Sequence, residues 1–313
     1  MTEPVFTVAT PTYNRADTLP RVYDSLCAQS FRSFEWLVVD DGSTDHTRDL
    51  VLSWQDASPF PIRYHWQPNQ HKKTAVNHAV REARGAFIAI LDSDDSFMPN
   101  ALQDMYDGWE SIPIAERSDF AGVSALVMSP DGAIVGDAFP EDPLDADYMT
   151  CHYIIGVRGE KFTMQRTDVM RQFPFPDFVS GLVPENYVWD RIAINYKMRH
   201  INRVVRIYYP TPGSLINGNV YQRVRADYDG CLYYSCMFID EIAPILAFKA
   251  PRVIFDTCRQ HCRFILHTLR QKRAIRWWPS RASSWLLLLL HLPVGLALFS
   301  KDMLEAWSRR VQR

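Results

Sequence analysis

Apolar and polar positions alternate in blocks along the first third of the chain. Val5-Phe6-Thr7-Val8-Ala9-Thr10 is β-branched and apolar and stops at Pro11, the pattern of a buried strand. Leu19, Val22, Tyr23, Leu26 and Cys27 then recur at helical spacing. Phe34–Val39 predicts a second strand, closed by the polar cluster Asp40-Asp41-Gly42-Ser43-Thr44-Asp45, and a helix is predicted from Thr47 to Gln55 before a third strand, Ile62–Trp66. Ala75, Val76, Ala79, Val80 and Ala83 outline a helix with Gly85 as its expected stop. A fourth strand, Ala86–Leu91, runs into Asp92-Ser93-Asp94-Asp95, and Pro99 is expected to open the helix striped by Leu102, Met105, Tyr106 and Trp109. Strands alternating with helices predict an α/β fold, a doubly wound and mostly parallel sheet.

Beyond residue 119 the pattern changes. Phe120–Met128, the Asp131-Gly132 turn and Ala133–Gly136 predict a hairpin. Helical spacing resumes over residues 186–198 through Val188, Trp189, Ile192, Ala193 and Tyr196. The expected organisation is residues 1–118 as one half of an α/β domain, 119–215 as its second half, and 216–313 as a helical appendage.

Composition adds one asymmetry. The net charge of −2 excludes a general attraction to nucleic acid. Residues 251–313, however, hold twelve Lys/Arg against three Asp/Glu, so an acidic body carries a basic tail. Within that tail Trp285–Phe299 is apolar for fifteen residues, interrupted by His291 and Pro293. A simple membrane span needs about 20 apolar residues. With Arg270, Lys272, Arg273, Arg276, Trp277, Trp278 and Arg281 just upstream, a peripheral, interfacial contact with membrane is expected; the alternative is packing on the rest of the chain or on a second copy, as a homo-oligomer. Met1–Phe6 has no secretory-signal pattern, so a cytoplasmic location is expected. The six cysteines include no CxxC pair; Cys258 and Cys262, near His261, are expected to be buried thiols and not metal ligands.

Ligands of open α/β sheets bind beyond the carboxyl ends of the strands. Three polar clusters fall there: Thr10–Arg15, Asp40–Ser43 and Asp92–Asp95. Three carboxylates within four residues repel one another unless something positive sits among them, and a hard cation such as Mg²⁺ or Mn²⁺ would serve. Asp40 and Asp41 could accept hydrogen bonds from a base or a ribose, or form a simple turn with Asp45 capping a helix. Lys72 and Lys73 open a helix and either neutralise phosphate or decorate a solvated face.

In this order the motifs resemble the nucleotide-binding half of the family 2 glycosyltransferases, which have the GT-A fold, across residues 5–109. The residues that carry the resemblance are Ala9–Arg15, Val38–Asp45, Lys72 with Asn77, and Leu91–Asp95. The resemblance implies a nucleotide-diphosphate-sugar donor, a UDP-sugar being expected, held by Thr10, Pro11, Tyr13, Arg15, Asp40, Asp41, Lys72, Asn77, Asp92 and Ser93. It implies a Mn²⁺ or Mg²⁺ ion served by Asp94 and Asp95, and inversion at the sugar. One departure stands out: His71 occupies a place where the family commonly has glycine. Further on, Gly159–Phe162, Phe173–Pro176 and Val183–Asp190 resemble the second half of a branch of this family, in which an acidic residue just before a helix removes the acceptor proton. Glu185 is the expected general base and Asp190 the runner-up. A glycan or lipid-linked glycan acceptor, in surface-polysaccharide assembly, is the expected partner. A sugar nucleotidyltransferase would need a glycine-rich phosphate loop near the start, and residues 1–30 hold no glycine. A non-catalytic sugar-nucleotide-binding protein would not need Asp92, Asp94 and Glu185 intact.

Overall fold

A computed structural model describes residues 3–210 and 228–311. The chain forms two compact units, the first from residues 3–175 and 192–210, the second from 176–191 and 228–311. The expected boundary at 215/216 lies outside the described residues.

The first unit is built on a nine-stranded sheet in the order β3-β2-β1-β4-β8-β6-β9-β5, with β7 added on β9. Strands β1 (Phe6–Thr12), β2 (Phe34–Asp40), β3 (Ile62–Trp66) and β4 (Phe87–Ile90) are parallel neighbours. Helices α1 (Leu19–Cys27), α2 (Thr47–Gln55) and α3 (Lys72–Glu82) connect them. The expected alternation is present, and its cause is visible in the core. Every residue of β1 and β2 is buried, because helices cover both faces. Leu19, Val22 and Leu26 of α1 pack into the same core as Trp36 and Val51, and Tyr23 stacks flat on Trp54 with ring centroids 4.4 Å apart.

The second half of the sheet is mixed. After β5 (Ser96–Phe97) and α4 (Ala101–Glu110) come β6 (Phe120–Met128), β7 (Leu144–Ala146), β8 (Lys161–Arg166), α5 (Thr167–Gln172) and, past the excursion 176–191, β9 (Lys197–Ile207). β8 is antiparallel to both β4 and β6, whereas β6 and β9 run parallel.

Several local expectations change. The predicted hairpin turn forms, with Ser129 N–H donating to Ala133 O, but its return segment makes only a single bridge at Ile134. β6 is instead satisfied by β8 and β9. The helix expected over 186–198 is α6 (Asn186–Ala193), and Lys197 already begins β9. Apolar residues at this spacing fit either period until a partner strand is known, and β6 supplies it. α3 ends at Glu82, before Gly85. Gly85 is required by crowding: a Cβ there would stand 2.4 Å from Thr7 N. Helix α4 starts at Ala101, two residues beyond the expected Pro99, with Asn100 at its cap.

The second unit is helical: α7 (Asp229–Met237), α8 (Pro251–Arg270) and α9 (Ala282–Val311), with shorter helical turns between α7 and α8. Tyr228, Cys231, Leu232 and Phe264 form its core cluster. Cys258 and Cys262 are buried, and burial pushes their thiols up to about 12 and about 11, which disfavours the thiolate a metal would need.

Burial in the first unit also carries a pH signature. His200 of β9 is 3% exposed, its Nε2–H donates to Ala146 O, and burial holds its imidazole down at about 4. A folded-state value below the ordinary 6.5 means that unfolding takes up a proton, so this contribution is complete above about 6.5 and lost as the pH falls toward 4. Urea unfolding from pH 7.5 to 4.5 is expected to show falling stability, and His200→Gln to remove up to about 3 kcal/mol of that pH-dependent loss. An identical slope in the variant would rule out His200 as its source.

Candidate functional site

The carboxyl edge of the parallel strands collects the three polar clusters. β1 ends at Thr12, β2 at Asp40 and β4 at Ile90, so the segments that leave them emerge side by side. Side-chain hydrogen bonds lace the first two together. Asn14, at φ 50°, receives a bond on Oδ1 from Thr44 N–H at 2.8 Å, and its own N–H donates to Ser43 Oγ at 2.8 Å. Asp45 takes Ala16 N–H on one oxygen and Thr47 N–H on the other, while His46 and not Asp45 holds the cap position of α2. Arg15 N–H donates to Thr47 Oγ1. The loop after β1 is thereby clamped to the turn after β2.

The two aspartates of that turn differ. Asp40 is fully buried, with Oδ1 accepting Ser43 N–H at 2.7 Å and Oδ2 accepting Tyr64 O–H at 2.5 Å. Both of its oxygens are committed, and burial together with this bond to Asp40 raises the Tyr64 phenol. Asp41 accepts from Gln67 Nε2 and Gln70 N–H through Oδ1 alone; its Oδ2 has no protein hydrogen bond among the described residues. Gly42, at φ 88°, turns the chain against Asn69, whose N would lie 2.8 Å from a Cβ. Only glycine combines that angle with that approach.

α3 starts at the same edge. His71 precedes it at φ 72°, ψ 154°, a region essentially reserved for glycine. At the place where the family commonly has glycine, this chain therefore carries a strained residue. Lys72 reaches from the first turn of α3 to Asp92 Oδ1 at 2.6 Å.

The acidic turn after β4 is held from several sides. Thr18 Oγ1 donates to Ser93 O, and Arg21 donates to Asp94 O while its guanidinium lies over the Tyr209 ring, 3.7 Å from the centroid. Asp95, only 1% exposed, accepts Tyr209 N–H on Oδ1 and faces Arg206 on Oδ2 at 3.3 Å. Arg206, on β9, also stands 3.9 Å from Asp92 Oδ2 and 3.2 Å from Glu160 Oε2. Arg15 Nη2 lies 3.8 Å from Asp94 Oδ2. The repulsion among the three carboxylates is thus relieved by this chain's own cations. Burial pushes the Asp95 carboxyl up to about 7 against the pull of Arg206, while Asp92 is held low because Lys72 and Arg206 outweigh its burial.

Not every expected residue reaches this edge with its side chain. Thr10 is buried and accepts from Trp36 Nε1, and Pro11 is buried in β1 beside Val39. Asn77 pins the end of the first unit by a reciprocal pair of bonds with the Phe175 backbone. Asp95 is a positioning group, since both oxygens already have partners. Tyr13, Arg15 and Lys72 are exposed, Asp92 and Asp94 are partly exposed, and buried Asp41 is bonded through Oδ1. Residues that sequence reasoning did not assign to this edge are Arg206, Tyr64 and Tyr209. No local motif marks them, because the later strands deliver them by pairing.

Glu185 and Asp190 lie in the second unit. Glu185 is exposed and its carbonyl accepts Val188 N–H at the start of α6. Asp190 is fully buried and accepts Tyr234 O–H at 2.9 Å. Of the two, Glu185 is the exposed carboxylate.

Among the described residues no three His, Cys, Asp or Glu side chains are grouped as a ready-made metal site. The donor set still suits a hard cation. Asp94 and Asp92 offer partly exposed oxygens, and a diphosphate would bring the remainder.

The charge balance at the acidic turn generates a test. Arg206→Gln leaves Asp95 buried beside Asp92 and Glu160 without its cation, and a loss of about 3 kcal/mol in urea unfolding at pH 8 is expected. The loss should shrink at pH 5, where protonated Asp95 no longer needs a partner. A pH-independent loss would mean that Arg206 matters only for packing.

Residues 7–115 match the family described as glycosyl transferase family 2. An uncharacterized glycosyltransferase of Nostoc sp. is 36% identical over 111 residues, covering 36% of this chain and 33% of that protein. The Bacillus subtilis protein TuaG, named as a teichuronic acid biosynthesis glycosyltransferase, is 31% identical over 149 residues, covering 47% of this chain and 56% of its own length. The Escherichia coli protein WfgD, named as a UDP-Glc:alpha-D-GlcNAc-diphosphoundecaprenol beta-1,3-glucosyltransferase, is 35% identical over 106 residues, covering 33% and 40%. This chain therefore spans between about a third and just over half of the length of these relatives. TarS of S. aureus, crystallised in complex with UDP-GlcNAc, superposes with a TM-score of 0.57 at 17% identity, covering 83% of this chain and 81% of that one. At that identity the likeness establishes the fold. Residues 7–115 are thus a stretch of glycosyl transferase family 2 sequence, set in a fold of GT-A type.

Proposed function

We propose that this chain transfers a hexosyl or N-acetylhexosaminyl group from a UDP-sugar to a hydroxyl of a glycan or lipid-linked glycan, with inversion, in surface-polysaccharide biosynthesis. The observation that carries this reading is the clamped edge itself. One aspartate oxygen is kept for a ligand at Asp41, and two cations, Lys72 and Arg15, lean over Asp92 and Asp94. A base and a diphosphate are what such an edge can take up together. The relatives add support. One is named for teichuronic acid biosynthesis and another for a UDP-Glc donor with a diphosphoundecaprenol-linked acceptor. Lipid-linked acceptors of this kind suit work at the cytoplasmic face of a membrane.

In this reading Asp41 Oδ2 accepts from the base, and Asp40 holds the turn that presents it. Asp92 lies at the ribose, while Lys72, Arg15 and the N-terminus of α3 receive diphosphate charge. Residues 1–118 would serve the donor and 119–215 the acceptor. Asp94, with Asp92, would hold Mn²⁺ or Mg²⁺, whose chemistry is to stabilise charge on the departing diphosphate. Glu185 takes the acceptor proton as the hydroxyl oxygen bonds to the anomeric carbon. The bond from that carbon to the diphosphate oxygen breaks, and its electron pair leaves with the diphosphate. Entry of the acceptor opposite the leaving group gives inversion.

Two variants separate the roles. Asp94→Asn should weaken Mn²⁺-dependent UDP binding at least about 10-fold in calorimetric titration, since one carboxylate of the donor set is lost. Unchanged binding would remove Asp94 from the metal. Glu185→Gln should keep UDP binding and lower transfer about 100-fold or more, the usual worth of a general base; near-normal turnover would move that role elsewhere.

A further inference from the structure

Helix α9 packs on α8 along one edge only. Its buried positions are Ser284, Leu288, Gly295 and Asp302, which return to one face at near-heptad spacing. Gly295 allows the helices to touch, because a Cβ there would stand 2.4 Å from Cys262 Cβ. Asp302 fixes the register through Arg263 Nε at 2.6 Å and His267 Nε2 at 2.8 Å. The contacts Phe255–His291, Cys262–Leu288 and His267–Phe299 bind the two helices along their length.

The opposite face of α9 is apolar and turned outward. Leu286, Leu289, Leu290, Leu292, Val294 and Leu296 are each between 40% and 66% exposed. At the near end Trp278 stacks on Trp285 at 5.2 Å, and both rings are more than two-fifths exposed. From Arg270 to Lys301 the chain holds six Lys/Arg and no Asp or Glu. Lys272, Arg276 and Arg281 among them are exposed. An uncharged leucine strip bordered by stacked tryptophans and cations has the chemistry of a surface for anionic lipid.

Spanning is the poorer fit. Ala282–Leu304 is long and apolar enough to cross a membrane by length and composition, but Lys301 and Asp302 fall within it. Asp302 ties it to α8, which carries Arg252, Asp256, Arg259 and Arg270. Each charge dragged to mid-bilayer costs about 2.5–3.5 kcal/mol. Lying flat, the strip sinks roughly 5–10 Å while α8 stays with the headgroups.

We propose that the outward face of α9 docks in the plane of an anionic phospholipid bilayer, with Trp278 and Trp285 at headgroup level and Lys272, Arg276 and Arg281 meeting lipid phosphates. The test is sedimentation of the full chain with vesicles of phosphatidylcholine alone or with about 30% phosphatidylglycerol. Binding to the anionic vesicles, weakened by salt, is expected. Leu286→Glu with Leu290→Glu should weaken it at least about 10-fold at an unchanged melting temperature. Quenching of tryptophan emission by headgroup-proximal brominated lipid, lost in Trp278→Phe with Trp285→Phe, is the second readout. Equal binding by the leucine variant, or no binding by the parent chain, overturns the proposal. So does a lipid-free dimer that the leucine variant converts to monomer, because the face would then belong to a second copy.

Discussion

The ion pairs of Arg206 set the terms for the candidate site. This guanidinium, almost wholly buried, stands among Asp92, Asp95 and Glu160. It belongs to β9, whereas the aspartates follow β4, so charge neutralisation joins the parallel half of the sheet to its mixed second half. A buried cation among carboxylates is weak as a source of net stability and strong as a constraint, since removing either side strands the other. Tyr209, two residues beyond β9, repeats the same connection by donating its N–H to Asp95. These contacts hold the shape of the acidic turn, and Asp92 and Asp94 stay partly exposed on it.

The remaining clusters follow the same division between supporting and presenting groups. In the pair Asp40-Asp41 the first carboxylate is consumed by Ser43 and Tyr64, and the second is bonded through one oxygen only. In the loop after β1, the backbone of Asn14, Arg15 and Ala16 is bonded to residues 43–47, which aims the Arg15 side chain toward Asp94. Preorganisation of this kind places charge before a ligand arrives, and it is the usual means by which a site binds a charged group without first rearranging. His71 shows the cost side: a residue in a glycine-like conformation persists only because α3 and its neighbours over-determine it.

The helical unit divides its chemistry along one helix. The inward edge of α9 holds Asp302 against Arg263 and His267, and its outward edge is leucine-rich. A hydropathy reading of the tail averages the two faces. The packing separates them, so the same stretch reads as a half-buried helix with one apolar side left over and not as a uniformly apolar segment.

By itself the sequence determined the α/β class, the order of β1 to β4 and the three polar strand ends, because hydrophobic period and turn chemistry are local properties. The preference for Glu185 over Asp190 came from the motif; that the first is exposed and the second buried is a fact of the fold. Tertiary structure alone decided the rest. Thr10 and Asn77, drawn toward the donor by motif, spend their side chains on Trp36 and Phe175. Asp95 is held inside by Arg206, and the segment from Lys197 is a strand because β6 lies beside it. These outcomes depend on partners far away in the chain. A residue's type sets which bonds it can make, and only the fold sets which partner arrives to make them.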